Sequence, residues 1–160
     1  MEDTVVVRAI RHEDLEDVGR MAAALVRYHA ELDPKRFLSW DGVEQGYRRF
    51  FGSQLSEPKA VLLVALRGTR RVGYAYARLE PRDWNALLDA HGALHDIFVE
   101  ESERRAGVAN ALLDEVRTRL AAAGAFRIVL STAVQNEAAQ RLFERHGFRR
   151  TMLEMTRELP

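Results

Sequence analysis

The 160-residue sequence predicts an α/β protein with a mixed sheet, in the order β-α-α-β-β-β-α-β-α-β. Two kinds of segment alternate along it. Some are short runs rich in β-branched and other apolar residues, and others are longer stretches whose apolar residues recur every three or four positions. The apolar share of 47% is ordinary for a globular protein, and the length suits one domain over residues 1–160.

The first third is expected to hold a strand and two helices. Residues 4–10, "TVVVRAI", are short and β-branched, as strands are. Residues 15–32 carry apolar side chains at helical spacing, with acidic residues before them that favour the helix dipole. This helix should end near Asp33-Pro34, because a residue before proline is pushed out of helical geometry. A weaker helix is predicted over residues 43–55.

The middle third is expected to form most of the sheet. Residues 60–66, "AVLLVAL", and residues 71–80, "RVGYAYARLE", read as a hairpin around a turn that begins at Gly68. Residues 93–99, "ALHDIFV", form the next apolar strand, with a histidine-aspartate pair in its middle. Polar side chains inside an apolar strand are a candidate for function.

The last third repeats the alternation of helix and strand. A helix starts near Gly107, and residues 126–131, "FRIVLS", read as a buried strand. Residues 136–146 form a short helix that stops at Gly147, since glycine readily adopts the left-handed conformation that ends helices. Residues 148–158 are predicted to close the chain as a strand.

Composition excludes several functional classes. The 24 basic and 24 acidic residues cancel, so no general affinity for nucleic acid or for a membrane surface is expected. The absence of cysteine excludes disulfides, thiolate metal sites and a thiol nucleophile. The N-terminus lacks a signal-peptide layout and no apolar run approaches the ~20 residues that span a bilayer. We therefore expect a cytoplasmic protein without a metal.

The segment "ERRAGVANALL" raises the question of anion binding. The first amides of a helix have no partners inside it and carry partial positive charge. Small residues at Ala106, Gly107 and Ala109 would let a phosphate approach the backbone, and Arg104 and Arg105 add charge. Alternatively, the arginines balance the neighbouring glutamates at positions 100, 101 and 103. Neither a P-loop nor a G-x-G-x-x-G motif is present.

Three motifs together carry a family resemblance. Arg104-x-x-Gly107-x-Ala109 resembles the Q/R-x-x-G-x-G/A signature of the GNAT N-acetyltransferase superfamily. Residues 136–148, "NEAAQRLFERHGF", resemble its N-x-x-A-x-x-L-Y-E-x-x-G-F motif, and "VRAIRHEDLEDV" resembles its usual opening. The resemblance implies a mostly antiparallel central sheet with helices on both faces. It also implies an acetyltransferase that uses acetyl-CoA as cosubstrate.

The resemblance assigns the cofactor site residue by residue. The pyrophosphate would bind the backbone of Arg104, Arg105, Ala106, Gly107, Val108, Ala109 and Asn110. The pantetheine arm would lie along Ile97, Phe98 and Val99, with the Ile97 amide polarising the thioester carbonyl. Asn136 matches the asparagine that hydrogen-bonds the pantetheine, although it also reads as a helix N-cap.

One departure concerns the leaving group. The tyrosine that commonly protonates the thiolate in this family is Phe143 here, which has no proton to give. Phe143 keeps a role in packing against the thioester. The loss also keeps an alternative function open, an acyl-CoA-binding sensor with little or no catalysis.

The acceptor amine needs a base, and the strand offers two candidates, His95 and Asp96. Glu100 is a weaker one. Because strand residues alternate between faces, His95 shares a face with Ile97 and Asp96 lies on the other, unless a bulge intervenes.

The first two helices are expected to recognise the acceptor. Candidate substrate contacts are Tyr28, His29, Asp33 and Trp40, in which carboxylates attract a cationic amine and aromatic rings stack on it. Aromatic residues at helical spacing also read as core, and Asp33-Pro34 reads as a plain turn. The acceptor is a primary amine of a small molecule or a peptide, and a homodimer is possible because GNAT domains often pair.

Overall fold

A computed structural model describes residues 4–160, and residues 1–3 of the predicted domain lie outside this range. The described chain forms five strands and four α-helices. In chain order they are β1 (Val5–Ala9), α1 (Leu15–Leu32), α2 (Val43–Gln54), β2 (Ala60–Arg67), β3 (Arg70–Glu80), β4 (His91–Val99), α3 (Val108–Ala122), β5 (Ile128–Leu130) and α4 (Glu137–Arg145). None of the helices within residues 4–160 is both long and apolar enough to cross a bilayer.

The five strands lie in one sheet in the order β1-β2-β3-β4-β5. The first three pairings are antiparallel and the pairing of β4 with β5 is parallel, so the predicted mixed, mostly antiparallel sheet is confirmed. The predicted hairpin between β2 and β3 is also present, with Gly68 at a positive φ of 59°.

Helices cover both faces of the sheet, as the resemblance implies. In β2, Leu62 and Val64 pack with α1 and α2, whereas Leu63 and Ala65 pack with α3. Because successive strand residues point to opposite faces, this central strand is apolar on both. The sheet therefore separates two hydrophobic clusters, and the edges and ends of its strands are left to meet a ligand.

A β-bulge interrupts β4 at the predicted catalytic pair. Tyr76 of β3 lies opposite Asp96, but the next residue, Ala77, lies opposite Leu94, so His95 is an extra residue on β4. A bulge of this kind breaks the alternation of faces. The bulge that would place His95 and Asp96 on one side is therefore present, and both residues line one groove.

Strands β4 and β5 separate after a short contact. They pair only at residues 92–94 of β4, and the rest of β4, up to Val99, continues without a β5 partner. The predicted strand over residues 126–131 is correspondingly reduced to three residues, Ile128–Leu130.

The predicted closing strand is wrong. Residues 148–160 form neither helix nor strand, and Leu153 and Met155 are 86% and 91% exposed. The alternating pattern of this segment is suited to a strand, but a strand also needs a partner for its backbone hydrogen bonds. No such partner is present among the described residues.

Candidate active site

The unpaired part of β4 turns backbone amides toward the opening beside β5. The amide of Glu100 donates a hydrogen bond to the carbonyl of Val72 at 2.9 Å. This bond determines which opposing residues of β3 and β4 form hydrogen-bonded pairs and which do not. Antiparallel residue pairs alternate between bonded and non-bonded, so Phe98 bonds to β3 while Ile97 and Val99 point their amides away from it. The Ile97 amide therefore faces the opening, as its predicted role requires.

The loop after β4 leaves an open cradle at the start of α3. Arg105 and Gly107 both have positive φ, 65° and 81°, and a Cβ at Gly107 would meet no atom within 4 Å. The helix has no side-chain cap and no acidic residue in its first turn. Its first amides are therefore free to bind an anion from the open side.

The neighbouring acids do not neutralise the arginines of this loop. Glu100 pairs with Arg20 at 2.7 Å, and Glu103 pairs with Arg67 and Arg70 at 2.8 and 2.5 Å. Within the described residues, Arg104 and Arg105 form no ion pair. No ion pair therefore joins Arg104 or Arg105 to Glu100, Glu101 or Glu103, which favours the interpretation that both charges are left for a ligand.

Helix α4 lies next to this opening. The Asn136 side chain accepts a hydrogen bond from the Ala139 amide at 3.2 Å, so Asn136 is the N-cap of α4. Phe143 is 7% exposed and its ring packs against Phe148, with centroids 5.8 Å apart. Most of the Phe143 ring is thus part of the core on the α3 face, which leaves little of it for a thioester. Asn110 contacts the residue that follows α4, since His146 Nε2 lies 2.9 Å from its Oδ1.

A groove of about 360 Å³ lies between α2, the second half of β3 and the middle of β4. It is lined by Tyr47, Phe50, Gln54, Tyr76, Arg78, Glu80, His95 and Asp96. The groove lies on the α1 and α2 face, and it reaches the point where β4 leaves β5. A volume of this order accommodates a small molecule.

His95 is exposed and held by two neighbours. Its Nε2 lies 2.9 Å from Glu80 Oε1, and its ring stacks on Tyr76 at 5.3 Å between centroids. When Nε2 carries the hydrogen and donates it to Glu80, the neutral ring keeps its free electron pair on Nδ1. The arrangement can therefore present Nδ1 as a proton acceptor.

Asp96 is a half-buried carboxylate that forms no ion pair in the described part of the chain. Tyr74 Oη donates to Asp96 Oδ2 at 3.0 Å. Burial raises the pKa of Asp96, although the Tyr74 hydrogen bond and the charges of His95 and His29 oppose the rise. Burial and the Asp96 charge raise the pKa of Tyr47 to about 12 and that of Tyr74 well above its usual range. Both phenols therefore stay protonated beside a carboxylate that is more basic than an exposed one.

The predicted acceptor contacts do not line this groove. His29 Nδ1 lies 2.9 Å from the Leu25 carbonyl, and its ring packs against Phe37. Asp33 accepts hydrogen bonds from the amides of the two residues that follow Pro34, so it forms the predicted turn.

The other two candidates are aromatic. Trp40 is 44% exposed and stacks on Tyr47, which places it behind a lining residue. Tyr28 packs edge-on against His29. The roles of all four candidates in substrate binding stay predictions.

Sequence reasoning missed six of the eight lining residues, namely Tyr47, Phe50, Gln54, Tyr76, Arg78 and Glu80. Tyr47 and Phe50 have the helical spacing of core aromatics, and Tyr76 has the alternation of a core strand residue. No signal in the sequence separates a groove-lining aromatic from a buried one. Within residues 4–160, no cluster of three or more potential ligands could hold a metal ion.

Comparison with known proteins extends these observations. The sequence model of the acetyltransferase (GNAT) family matches residues 25–148. No curated protein sequence matches the chain.

Solved structures match over nearly the whole chain. A probable acetyltransferase is 25% identical with a TM-score of 0.71, over 98% of this chain and 97% of that one. An aminoglycoside N-acetyltransferase in complex with CoA is 18% identical with a TM-score of 0.78, over 99% and 97%. Glucosamine-6-phosphate N-acetyltransferase from Arabidopsis thaliana is 14% identical with a TM-score of 0.72, over 99% and 100%.

Proposed function

Since this chain belongs to the acetyltransferase (GNAT) family, we propose that it transfers the acetyl group of acetyl-CoA to a primary amine held in the groove between α2 and β4. The proposal rests on one observation, the continuity of the site along β4. Its unpaired edge leads at one end to the open cradle at Gly107 and at the other to the groove with His95 and Asp96. A single long ligand could occupy both ends.

The cofactor would be held chiefly by backbone groups. The pyrophosphate would accept hydrogen bonds from the amides around Gly107, with Arg104 and Arg105 adding charge. The pantetheine arm would pair with Ile97 and Val99 as a strand pairs with a sheet edge. The side-chain nitrogen of Asn136, which has no partner among the described residues, is free to reach the arm.

The reaction would proceed by direct attack. The amine nitrogen forms a bond to the thioester carbonyl carbon, and the carbonyl oxygen gains negative charge that the Ile97 amide stabilises by about 3 kcal/mol. The C–S bond then breaks and coenzyme A leaves as its thiolate. The amine proton goes to an enzyme base, and the thiolate takes its proton from solvent because Phe143 cannot supply one.

Two side chains are candidates for the base. His95 offers Nδ1 at the bulge, and Asp96 offers a carboxylate whose pKa burial has raised. An ideal base has a pKa near the working pH, which favours a carboxyl with a raised pKa over an exposed one. The choice between them is open to measurement, because only one should control the acid limb of the pH profile.

The charges of the groove favour a small cationic amine as the acceptor. Arg78 is bonded to Gln54 at 2.9 Å and lies 3.8 Å from Glu80, which His95 also contacts. Asp96 is therefore the lining carboxylate, among the described residues, that has no ion pair. The ammonium group of an amine would supply the positive charge that Asp96 lacks. The aromatic side chains that line the groove would stack on the carbon skeleton of the amine.

Amino sugars are reasonable first acceptors to test. The aminoglycoside and glucosamine-6-phosphate enzymes share the fold of this chain, and their names state such acceptors. Peptide amines, a homodimer and a cytoplasmic location remain parts of the proposal, and no contact with nucleic acid or membrane is part of it.

Thermal unfolding with acetyl-CoA tests the cofactor site. Acetyl-CoA should raise the melting temperature of the wild type, because a ligand that binds only the folded state stabilises it. Gly107→Glu should abolish the shift by filling the cradle with a negative side chain. Gly124→Glu is the matched control, since Gly124 also has positive φ with no atom near its Cβ position but follows α3 instead of preceding it. Equal shifts in both variants would contradict the assigned cradle.

Coenzyme A release separates the enzyme from the alternative, an acyl-CoA sensor. The observation that favours the sensor is Phe143, which cannot protonate the thiolate. A panel of amino sugars, polyamines and peptides should yield turnover with at least one small amine. A melting shift with acetyl-CoA but no turnover on any of them would support the sensor instead.

A further inference from the structure

The loop between β4 and α3 has a backbone conformation that needs support from outside it. Arg105 has a positive φ of 65°, which residues other than glycine rarely adopt, and it lies two residues before Gly107. Such a conformation persists only where surrounding contacts hold it. Because this loop leads into the open cradle, the contacts that hold it also determine how the first amides of α3 are presented.

Glu103 ties this loop to the hairpin of β2 and β3. It is 7% exposed, and its two carboxylate oxygens accept hydrogen bonds from Arg67 Nε at 2.8 Å and Arg70 Nη2 at 2.5 Å. Arg67 ends β2 and Arg70 begins β3, and the two lie opposite each other in the hairpin. The hydrogen bonds from Arg67 and Arg70 outweigh burial and lower the pKa of Glu103, so it stays ionised at neutral pH.

Charge alone would make Glu103 unfavourable at this place. A carboxylate four residues before Gly107 would repel the phosphates that the cradle is expected to bind. Glu103 instead directs its charge to the hairpin, and the loop has one further ion pair to another element of the described chain, between Glu100 and Arg20 of α1. A mechanical role for Glu103 accounts for a buried acid beside an anion site.

We propose, on the basis of the acetyl-CoA site proposed above, that Glu103 is a positioning residue of that site. Its clamp, defined as Glu103 with Arg67 and Arg70, holds the loop in the shape that presents the amides around Gly107 to the pyrophosphate. Glu103 itself makes no contact with the cofactor. The β2–β3 hairpin thereby becomes part of the machinery that binds the cofactor.

The direction of the change in affinity tests the clamp. Glu103→Gln should raise the Kd of acetyl-CoA about 10-fold in calorimetric titration, because the loop loses its charged anchor. Glu101→Gln is the matched control, since Glu101 is exposed on the same loop and forms no ion pair in the described chain. This control should bind acetyl-CoA as tightly as the wild type or more tightly. Unchanged or tighter binding by Glu103→Gln, or equal losses in both variants, would overturn the proposal.

Asp14→Asn separates positioning from stability. Asp14 is also a buried carboxylate that two arginines hold, Arg8 and Arg71, so this variant loses a similar pair of contacts outside the loop. At a temperature where circular dichroism shows both variants folded, Asp14→Asn should keep the wild-type Kd for acetyl-CoA. A rise in Kd as large as that of Glu103→Gln would overturn the proposal.

Arg70→Gln tests whether the hairpin acts through Glu103. It should raise the Kd of acetyl-CoA less than Glu103→Gln does, because Arg67 still holds the carboxylate. The double variant should bind no more weakly than Glu103→Gln alone, since both substitutions break one contact network. Additive losses would mean that Arg70 acts on the cofactor independently, and would overturn the clamp.

Hydrogen exchange of the free protein tests the loop without any cofactor. The Ala111 amide donates to the Gly107 carbonyl at 3.0 Å, and at the other end of α3 the Ala123 amide donates to the Arg119 carbonyl at 3.0 Å. Glu103→Gln should speed exchange at Ala111 and leave Ala123 unchanged, and unchanged exchange at Ala111 would overturn the clamp. A wild type that binds no acetyl-CoA would contradict the proposed function, and the cofactor role of Glu103 with it, even if exchange at Ala111 responds.

Discussion

Two carboxylates of this protein, one fully buried and one half-buried, have opposite surroundings. Asp14, just before α1, is fully buried and accepts hydrogen bonds from Arg8 at 2.6 Å and Arg71 at 2.9 Å. Asp96, at the bulge of β4, has a phenol from Tyr74 as its hydrogen-bond donor. Burial tends to raise the pKa of both. At Asp14 the hydrogen bonds outweigh burial and lower the pKa to about 2, and at Asp96 burial prevails and the pKa is raised.

The difference separates a structural carboxylate from a candidate for function. A buried charge is stable when cations and amides surround it, as at Asp14. A half-buried carboxyl without an ion pair, as at Asp96, retains an affinity for a proton or for a positive ligand. Such groups in clefts are candidates for catalysis. Substitutions at each site in turn test this difference.

The largest effect is expected at Asp14. Asp14→Asn should lower the free energy of unfolding by about 3–5 kcal/mol, because it leaves the guanidinium groups of Arg8 and Arg71 without their shared anion. Denaturant titration would measure the loss. Turnover of the folded fraction should stay normal at a temperature where circular dichroism shows the variant folded, and a loss of turnover there would contradict a purely structural role.

Asp96→Asn should have the opposite effect, a loss of turnover with little change in stability. The amide keeps the hydrogen bond from Tyr74 but cannot accept the amine proton, so kcat should fall about 10²-fold or more if Asp96 is the base. The free energy of unfolding should be unchanged or slightly higher, because the charge of a half-buried carboxylate is then removed.

His95→Gln is the comparison that assigns the base. If Asp96 is the base, the His95 variant should keep the acid limb of the kcat profile that the Asp96 variant loses. The opposite result would make His95 the base and leave Asp96 to hold the amine.

The two carboxyls should also differ in how pH acts on stability. The pKa of Asp14 is lower in the folded state than in the unfolded state, so its contribution is present above pH 4 and is lost as the pH falls toward 2. The loss amounts to about 2 kcal/mol. Asp96 has a raised folded-state pKa, so its protonated form favours folding and this contribution fades as the pH rises. Unfolding titrations of the wild type and Asp14→Asn should differ in the acid range, and identical curves would contradict the assignment.

The smallest effect is expected from Tyr74→Phe. The Tyr74 hydrogen bond lowers the pKa of Asp96, so its removal should raise that pKa further. If Asp96 is the base, the acid limb of the kcat profile should move to higher pH, while kcat on the plateau changes less than 10-fold. If the acid limb does not move, the titration of Asp96 does not control it.

The sequence was informative where function depends on a local backbone pattern. Arg104, Gly107 and Ala109 predicted the open cradle at the start of α3, because a left-handed glycine and its small neighbours are recognisable in consecutive residues. The groove could not be predicted, because Tyr47 and Tyr76 have the spacing of ordinary core residues.

Two further errors have the same physical origin. The sequence pattern of β4 does not show that His95 is an extra residue, because a bulge is defined by how β4 pairs with β3. The strand predicted over residues 148–158 is not formed. Its alternating pattern indicates which residues share a face, but not whether a neighbouring strand is available for its backbone hydrogen bonds. Properties that depend on a second strand therefore require the structure.

The separation of β4 from β5 has a consequence for hydrogen exchange. The amides of Ile97 and Val99 face an opening, so in the free protein they should exchange with solvent deuterium far faster than that of Phe98, which bonds to β3. A ligand that lies along β4 as an added strand would protect the first two and leave the third almost unchanged. Protection that alternates along three consecutive residues would thus report occupancy of the proposed cofactor site without any acceptor amine.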